Sequence, residues 1–238
     1  MKGSIYGTHR VIEPKGSLPQ AAWRIDNTMK IYDNEILIDV STLNIDAASF
    51  TQIKKAAGNN EEEMKAIMTK IVADRGKHHN PVTGSGGMLV GKVAAIGPDL
   101  KGRKDLAVGD RIATLVSLSL TPLKIDRIKK VNMDSGQVEI EGQAILFESG
   151  VYAKLPTDIP ENLALAVLDV AGAPAQVERL VKPGDTVVIV GAGGKSGVMC
   201  MYEARKRAGV TGTIIGIGSS NKSCQRMRDL GWADHVLQ

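Results

Sequence analysis

The sequence predicts an α/β protein in two parts, a small β structure followed by a parallel α/β sheet. Up to Phe147 the chain consists of short strand-like segments separated by glycine-containing turns, which is typical of a partly closed β structure. After about Leu155 helical and strand-like segments alternate, which indicates parallel strands joined by helices. We place the boundary near Pro156–Pro160, which gives predicted domains of residues 1–158 and 159–238.

Composition and charge exclude several classes of protein. Apolar residues make up 43% of the 238 residues, and the net charge is only +4. Aromatic residues make up 3% and no long basic run is present, so we expect no nucleic-acid partner. The sequence shows no signal peptide and no apolar stretch near the ~18 residues of a membrane span. With Cys200 and Cys224 as the only cysteines, we expect a cytoplasmic protein with no membrane partner.

Periodicity and capping signals predict the elements of the first part. Glu35–Leu43 alternates between apolar and polar residues, which predicts a strand with one buried face. Asp46 is placed to cap a short helix, and Asn59–Asp74 has the apolar spacing of a second helix. Glycines and a proline make His78–Gly87 a loop, and a short helix is predicted after Pro122. Further strands are predicted at Met88–Ile96 and Arg111–Val116.

The second part begins with a predicted helix at Pro160–Leu180, whose apolar face contains Leu163, Val167 and Val170. The continuous apolar run Thr186–Val190 is typical of a strand that is buried on both faces. The next helix and strand are predicted at Lys195–Gly209 and Thr213–Ile217.

A glycine-rich turn joins the strand Thr186–Val190 to the following helix with a G-x-x-G-x-x-G spacing. Glycines at such a turn permit a tight bend, close approach of a dinucleotide pyrophosphate and close packing of the helix on the strand. The pyrophosphate then binds the N–H groups at the start of the helix. A tight turn without a ligand is the alternative interpretation. The predicted cofactor-binding residues of this turn are Gly191, Gly193, Gly194, Lys195, Ser196 and Gly197.

The end of the next strand bears on the choice between NAD and NADP. Gly218, Ser219 and Ser220 are predicted to contact the cofactor, yet no carboxylate is present there to bind the ribose 2′-hydroxyl of NAD. A Gly-Ser pair with Lys222 nearby is compatible with the 2′-phosphate of NADP. The residues alone therefore leave NAD and NADP both open.

Several motifs occur in an order that resembles the medium-chain dehydrogenase/reductase superfamily. They are Gly91–Gly97, Val108–Ile112, Lys182–Val187 and the glycine-rich turn. The resemblance implies a GroES-like β domain that binds the substrate, followed by a doubly wound Rossmann domain. That fold uses about six strands. Because we find two and a possible third from His235, we expect the Rossmann domain to be truncated near Gln238.

The zinc-binding branch of that superfamily has a cysteine after the first strand and a Gly-His-Glu motif. This sequence has Asp46 or a nearby residue and Gly86–Met88 at those places, and no cysteine precedes Cys200. The thiolate and imidazole ligands that zinc needs are missing, so we predict no metal. The glycine spacing is similar to that of the zinc-free quinone reductases.

Five longer segments carry a closer resemblance. They are Tyr6–Pro14, Leu43–Asp46, Lys77–Met88, Ala113–Leu123 and Leu163–Gln176. These segments resemble the family of bacterial dehydrogenases that act on 3,5-diaminohexanoate in lysine fermentation. The resemblance implies oxidative deamination of this diamino acid to 5-amino-3-oxohexanoate, with NAD as the usual acceptor and a homodimer as the assembly. Two alternatives are a zinc-free quinone or enoyl reductase and a non-catalytic nucleotide-binding protein.

Amine oxidation needs a base that works near neutral pH and charged groups that hold the substrate. The candidate catalytic residues are His79 beside a glycine loop, Glu148, Asp169 and Asp46. Asp169 interrupts an apolar helical face and so needs a partner or a ligand. The structural alternatives are an exposed loop histidine for His79, a surface acid for Glu148 and a helix cap for Asp46. Arg10 is a weaker candidate for the substrate carboxylate, its alternative being a place on the surface.

Overall fold

The computed structural model describes residues 1–102 and 105–238. Its contacts divide the chain into two compact units, Met1–Leu165 and Ala166–Gln238. Within the described ranges, none of the helices combines the length and the apolar character needed to cross a membrane.

The first unit is built around an antiparallel sheet. Its strands are β1 (Val11–Glu13), β2 (Arg24–Ile25), β3 (Glu35–Ile45), β4 (Gly87–Ile96), β5 (Arg111–Thr114), β6 (Leu123–Val131), β7 (Gln137–Phe147) and β8 (Tyr152–Lys154). The main sheet has the order β6-β7-β3-β4-β5-β8, and β1 pairs with β2 separately. Two helices, α1 (Ala47–Ala56) and α2 (Glu61–Arg75), connect β3 to β4.

Strand β3 lies at the centre of this sheet, between β7 and β4. The predicted alternation is confirmed, because Ile36, Ile38 and Val40 are buried while Asp39 and Ser41 are exposed. The buried side chains form a core with α1 and α2. This packing fixes the end of β3 and the start of α1, where the candidate residue Asp46 lies.

The short helix predicted after Pro122 is wrong, since β6 occupies Leu123–Val131. This strand pairs antiparallel with β7, with Leu123 opposite Ala144 and Val131 opposite Val138. The long-range pairing overrides the local preference for a helix. Lysines and an arginine along β6 mark it as a charged edge strand, which discourages pairing with another sheet.

Arg10 binds the N-terminal segment to Glu35 of β3. Its side chain is buried, so the surface position expected as the alternative is wrong. Its guanidinium donates to both carboxylate oxygens of Glu35, from Nε at 2.7 Å and from Nη2 at 2.6 Å. Nη1 and Nη2 also donate to the carbonyl oxygens of Thr28 and Lys30, each at 2.9 Å. Both side chains of the ion pair are 1% exposed, so Arg10 serves the fold.

The second unit has a parallel sheet with helices between its strands. The helices are α3 (Glu161–Leu168), which spans the division between the units, α4 (Gly172–Leu180), α5 (Lys195–Ala208) and α6 (Asn221–Leu230). The strands are β9 (Thr186–Val190), β10 (Thr213–Ile217) and β11 (His235–Leu237). They pair in the order β11-β10-β9, so the predicted parallel α/β pattern is confirmed for these strands.

The predicted single helix Pro160–Leu180 is two helices, α3 and α4, separated by a turn at residues 169–171. Pro174 explains the break, because a proline is tolerated in the first turn of a helix but disrupts the interior. The predicted buried face is also wrong. Leu163 is 51% exposed, whereas Ala164 and Leu165 are buried.

Strand β9 was predicted to be buried on both faces, and it is not. Val188 and Val190 are 55% and 82% exposed. Val187 and Ile189 face the other way and pack with buried residues of α5 and α6, including Met201. In the described unit these helices cover one face of the sheet, so only alternate residues of β9 are shielded.

Candidate active site

The glycine-rich turn begins where β9 ends. Gly191 has a φ of +75°, a conformation that side chains other than glycine rarely adopt. The N–H groups of Gly191 and Ala192 both donate to the carbonyl oxygen of Ile217, at 2.9 and 3.0 Å. Gly194 donates to the Gly191 carbonyl at 3.0 Å. The turn is therefore tied to the end of the neighbouring strand β10.

Two glycines of this turn are required by close packing. A Cβ at Gly197 would lie 2.3 Å from the Gly191 carbonyl oxygen and 2.5 Å from the Cα of Ala192. A Cβ at Gly193 would lie 2.6 Å from the Cβ of Ser223. These are backbone or Cβ positions, so no rotation of a side chain relieves the overlap. Helix α5 thus packs against the turn as closely as a dinucleotide-binding loop requires.

The start of α5 presents backbone donors. Gly194 is the N-cap residue and has no side chain with which to cap the first-turn N–H groups. The helix dipole places partial positive charge at this end. Nη1 of Arg226 donates to the Gly193 carbonyl oxygen at 2.6 Å and holds the turn in place. Gly191, Gly194 and Lys195 are exposed, so these residues fit the pyrophosphate of a dinucleotide.

The residues after β10 have partly structural roles. Ser220 caps α6, because its hydroxyl accepts from the Ser223 N–H at 3.2 Å. A Cβ at Gly218 would lie 2.6 Å from the Ser223 Oγ and 3.0 Å from the Cys224 Sγ. Side chains of α6 therefore pack closely on Gly218. Ser219 and Lys222 are exposed beside this position.

In the first unit, Asp46 joins the start of α1 to the loop that precedes β4. It is the N-cap residue of α1, as predicted, but its side chain makes no cap hydrogen bond. Instead its Oδ2 accepts from the Gly86 N–H at 2.9 Å, and its own N–H donates to the Gly86 carbonyl oxygen at 3.2 Å. The half-buried Asp46 carboxylate is thus fixed at the mouth of the loop His78–Gly87.

Three hydroxyl groups meet on this loop. The Oγ of Ser49 lies 2.6 Å from Oγ1 of Thr83 and 2.7 Å from Oγ of Ser85. Beside them, Nδ2 of Asn80 donates to Oε1 of Gln52 at 2.9 Å. Ser49 and Asn80 are buried, whereas Thr83 is exposed. The loop therefore carries a polar lining that the candidate residues alone did not indicate.

His78 and His79 are not exposed on the surface, as the alternative interpretation of His79 would require. His78 is completely buried, and neither ring nitrogen makes a hydrogen bond to the described residues. Burial lowers the pKa of His78 to about 4. Burial, aided by the positive charges of Lys77 and Arg75, also lowers the pKa of His79 to about 4. His79 is therefore uncharged at neutral pH, although such a low pKa makes it a weak base.

Lys77 is another buried group of this loop that sequence reasoning missed. Its Nζ donates to the carbonyl oxygens of Pro19 and Gln20, at 2.5 and 3.4 Å. Burial, together with the charge of Arg75, lowers the pKa of Lys77 to about 7. Lys77 holds the segment around Pro19 against the loop.

The two remaining candidate acids lie elsewhere in the chain. Oε2 of Glu148, just after β7, accepts from Nδ2 of Asn34 at 2.9 Å, and Asn34 also binds the backbone of Gly3. Asp169 lies in the turn between α3 and α4 and not on the apolar helical face that was predicted. The catalytic roles of both acids stay predictions. Among the residues that the structure describes, no three His, Cys, Asp or Glu side chains form a group that could hold a metal ion.

An antiparallel β unit followed by a parallel α/β unit with this turn defines a medium-chain dehydrogenase/reductase fold. A mycobacterial quinone oxidoreductase is similar, with a TM-score of 0.54 and 19% identity, over 92% of this chain and 55% of that chain. The CurK enoyl reductase has a TM-score of 0.53 and 15% identity, over 91% and 55%. At these identities the similarity shows the fold alone, and it confirms the predicted fold class.

Sequence similarity identifies the family. The model for the L-erythro-3,5-diaminohexanoate dehydrogenase N-terminal domain matches residues 9–156. An L-erythro-3,5-diaminohexanoate dehydrogenase from Acetoanaerobium sticklandii is 62% identical over 237 residues, covering 100% of this chain and 69% of that protein. The enzyme of that name from Fusobacterium nucleatum subsp. nucleatum is 62% identical over 231 residues, covering 96% and 67%. The chain therefore belongs to the L-erythro-3,5-diaminohexanoate dehydrogenase family, as the resemblance implied.

Proposed function

We propose that the protein containing this chain catalyses the NAD-dependent oxidative deamination of L-erythro-3,5-diaminohexanoate to 5-amino-3-oxohexanoate. The 62% identity to a dehydrogenase of that name across the whole chain carries the proposal. In the overall reaction the 3-ammonium compound, NAD+ and water give the 3-oxo compound, ammonium, NADH and a proton. The bound nicotinamide supplies the hydride acceptor.

The second unit supplies the cofactor-binding residues in this proposal. The N–H groups at the start of α5 bind the pyrophosphate, and the glycines of the turn leave room for it. The backbone overlap that a Cβ at Gly197 would cause supports this role. Exposed Ser219 and Ser220 lie where the adenosine ribose is held in such folds.

The first unit supplies the substrate-binding residues. The Asp46 carboxylate is fixed through Oδ2, and the described residues give its Oδ1 no hydrogen bond. Oδ1 is therefore suited to hold a substrate ammonium group. The hydroxyls of Ser49, Thr83 and Ser85 exchange hydrogen bonds with one another and suit a polar substrate. His79 remains the proposed base of the loop because it is uncharged at neutral pH, and its low pKa makes it a weak base.

The test is a nicotinamide reduction assay on the full-length protein with L-erythro-3,5-diaminohexanoate. We expect ammonia, 5-amino-3-oxohexanoate and NADH in equal amounts, and no reaction with 5-aminohexanoate, which lacks the 3-amino group. Parallel titrations with NAD+ and NADP+ measure the cofactor preference. Reduction of a quinone without turnover of the diamino acid would instead support the zinc-free quinone reductase.

A further inference from the structure

Asn44 is a buried amide close to the candidate site, and it has no partner among the described residues. It lies on β3, opposite Met88 of β4 and Gln137 of β7, and it is 1% exposed. Neither Oδ1 nor Nδ2 makes a hydrogen bond to the described residues.

A buried amide whose polar atoms lack hydrogen bonds lowers the stability of the fold. Each buried polar group without a hydrogen bond costs about 1–3 kcal/mol. A leucine has nearly the same shape as an asparagine and would avoid this cost. The two unpaired amide atoms are therefore expected to have a partner outside the described residues.

The position of Asn44 indicates which side of the sheet that partner approaches. Leu43 and Ile45 belong to the hydrophobic core, so the intervening Asn44 side chain lies on the opposite face. Asp46 follows two residues later and is fixed to Gly86. The amide thus lies on the non-core side of β3, at the end of the strand that leads into the candidate site.

We propose that Asn44 binds the β-amino carboxylate end of the substrate, an inference that rests on the proposed function. This end carries an amine that donates hydrogen bonds and a carboxylate that accepts them, separated by one methylene carbon. A side-chain amide offers the complementary pair, since Oδ1 accepts from the amine and Nδ2 donates to the carboxylate. Met88, beside Asn44 on the neighbouring strand, has a flexible side chain that can move to admit the substrate.

The substitutions Asn44→Leu and Asn44→Ala in the full-length protein test this proposal. A hydrogen bond to a charged group contributes about 1.5–3 kcal/mol, which corresponds to roughly a 10- to 100-fold change in affinity. We expect the KM and the Kd of L-erythro-3,5-diaminohexanoate to rise by at least about tenfold. The KM of NAD+ should stay at its wild-type value. The Tm of Asn44→Leu should not fall, because the variant removes two unpaired polar atoms.

Thr114→Val is the matched control. The Oγ1 of Thr114 is also buried and has no partner in the described ranges, but Thr114 lies two residues beyond Ile112, on the core face of β5. We expect this variant to bind and oxidise the substrate as the wild type does.

The outcomes separate the two proposals. A wild-type protein that neither binds nor oxidises the diamino acid overturns the proposed function and this inference together. If the wild type is active and both Asn44 variants have its KM and Kd, only the role of Asn44 is overturned. An unchanged KM with an altered Tm shows that the amide serves the fold, for example through an ordered water.

Discussion

Gly197 packs so closely on the turn before α5 that a Cβ there would lie 2.3 Å from the carbonyl oxygen of Gly191. We expect Gly197→Ala to push the helix away from the turn and to weaken NAD+ binding by at least about tenfold, that is about 1.4 kcal/mol. Fluorescence titration with NAD+ measures this effect. Gly172→Ala is the control, because a Cβ at Gly172 meets no atom within 4 Å. Equal affinity in both variants would contradict the assigned cofactor loop.

Two substitutions of Asp46 separate the effect of its negative charge from the effect of its hydrogen bond to Gly86. In Asp46→Asn the amide oxygen still accepts from the Gly86 N–H, so we expect the Tm of the wild type. The lost negative charge should raise the KM of the diamino acid by at least about tenfold, since charge-assisted hydrogen bonds are about twice as strong as neutral ones.

Asp46→Ala also loses the hydrogen bond and should reduce the free energy of unfolding by about 1 kcal/mol. Steady-state kinetics and thermal unfolding of the two variants measure both effects. A wild-type KM in Asp46→Asn would show that the residue only fixes the loop.

His78 predicts a pH dependence of stability. Its pKa is about 4 in the folded protein because it is buried, against an ordinary value of 6.5 for histidine. Between these values the unfolded chain binds the proton more readily, so the free energy of unfolding falls as the pH falls from about 6.5 to 4. His78 accounts for on the order of 3 kcal/mol of this fall in the free energy of unfolding.

Urea unfolding of His78→Phe across that pH range should show a shallower fall than the wild type. His235→Asn, in an exposed position on β11, is the control and should keep the wild-type slope. Identical slopes for the wild type and His78→Phe would rule out the assigned burial of a neutral histidine.

The ion pair of Arg10 and Glu35 predicts a large loss of stability when one partner is removed. Arg10→Met removes the guanidinium from the buried Glu35 carboxylate and should cost about 3–5 kcal/mol, as broken buried pairs do. The double variant Arg10→Met with Glu35→Leu should recover part of that loss. A double-mutant cycle by chemical denaturation measures the coupling, and strictly additive losses would disprove it.

The ion pair of Arg10 and Glu35 also predicts a loss of stability at acidic pH. Burial alone would raise the pKa of Glu35, but hydrogen bonds from Arg10 and the Tyr32 N–H lower it below 4.5. The stabilisation is therefore complete above pH 4.5 and is lost as the pH falls through the pKa of the folded protein. Glu35→Gln should remove this part of the acid dependence in unfolding experiments between pH 3 and 6.

Local patterns determined several elements because the forces behind them act over a few residues. The alternation in β3 and the glycine spacing after β9 both reflect short-range geometry, and the structure reproduces both. The helix predicted after Pro122 failed because pairing with β7, in which Leu123 lies opposite Ala144, decides that β6 is a strand. The break before α4 depends on Pro174, a signal that the sequence contained and the prediction overlooked.

The sequence by itself determined the α/β order, the dinucleotide turn and, through its longer segments, the family. Only the tertiary structure decided that Arg10 is buried on Glu35 and that Asp46 is bonded to Gly86. It also decided that Asn44 is a buried amide without a partner in the described chain. The physical reason is that a hydrogen-bond partner or a burial can join residues distant in sequence, and no local periodicity encodes which residues meet.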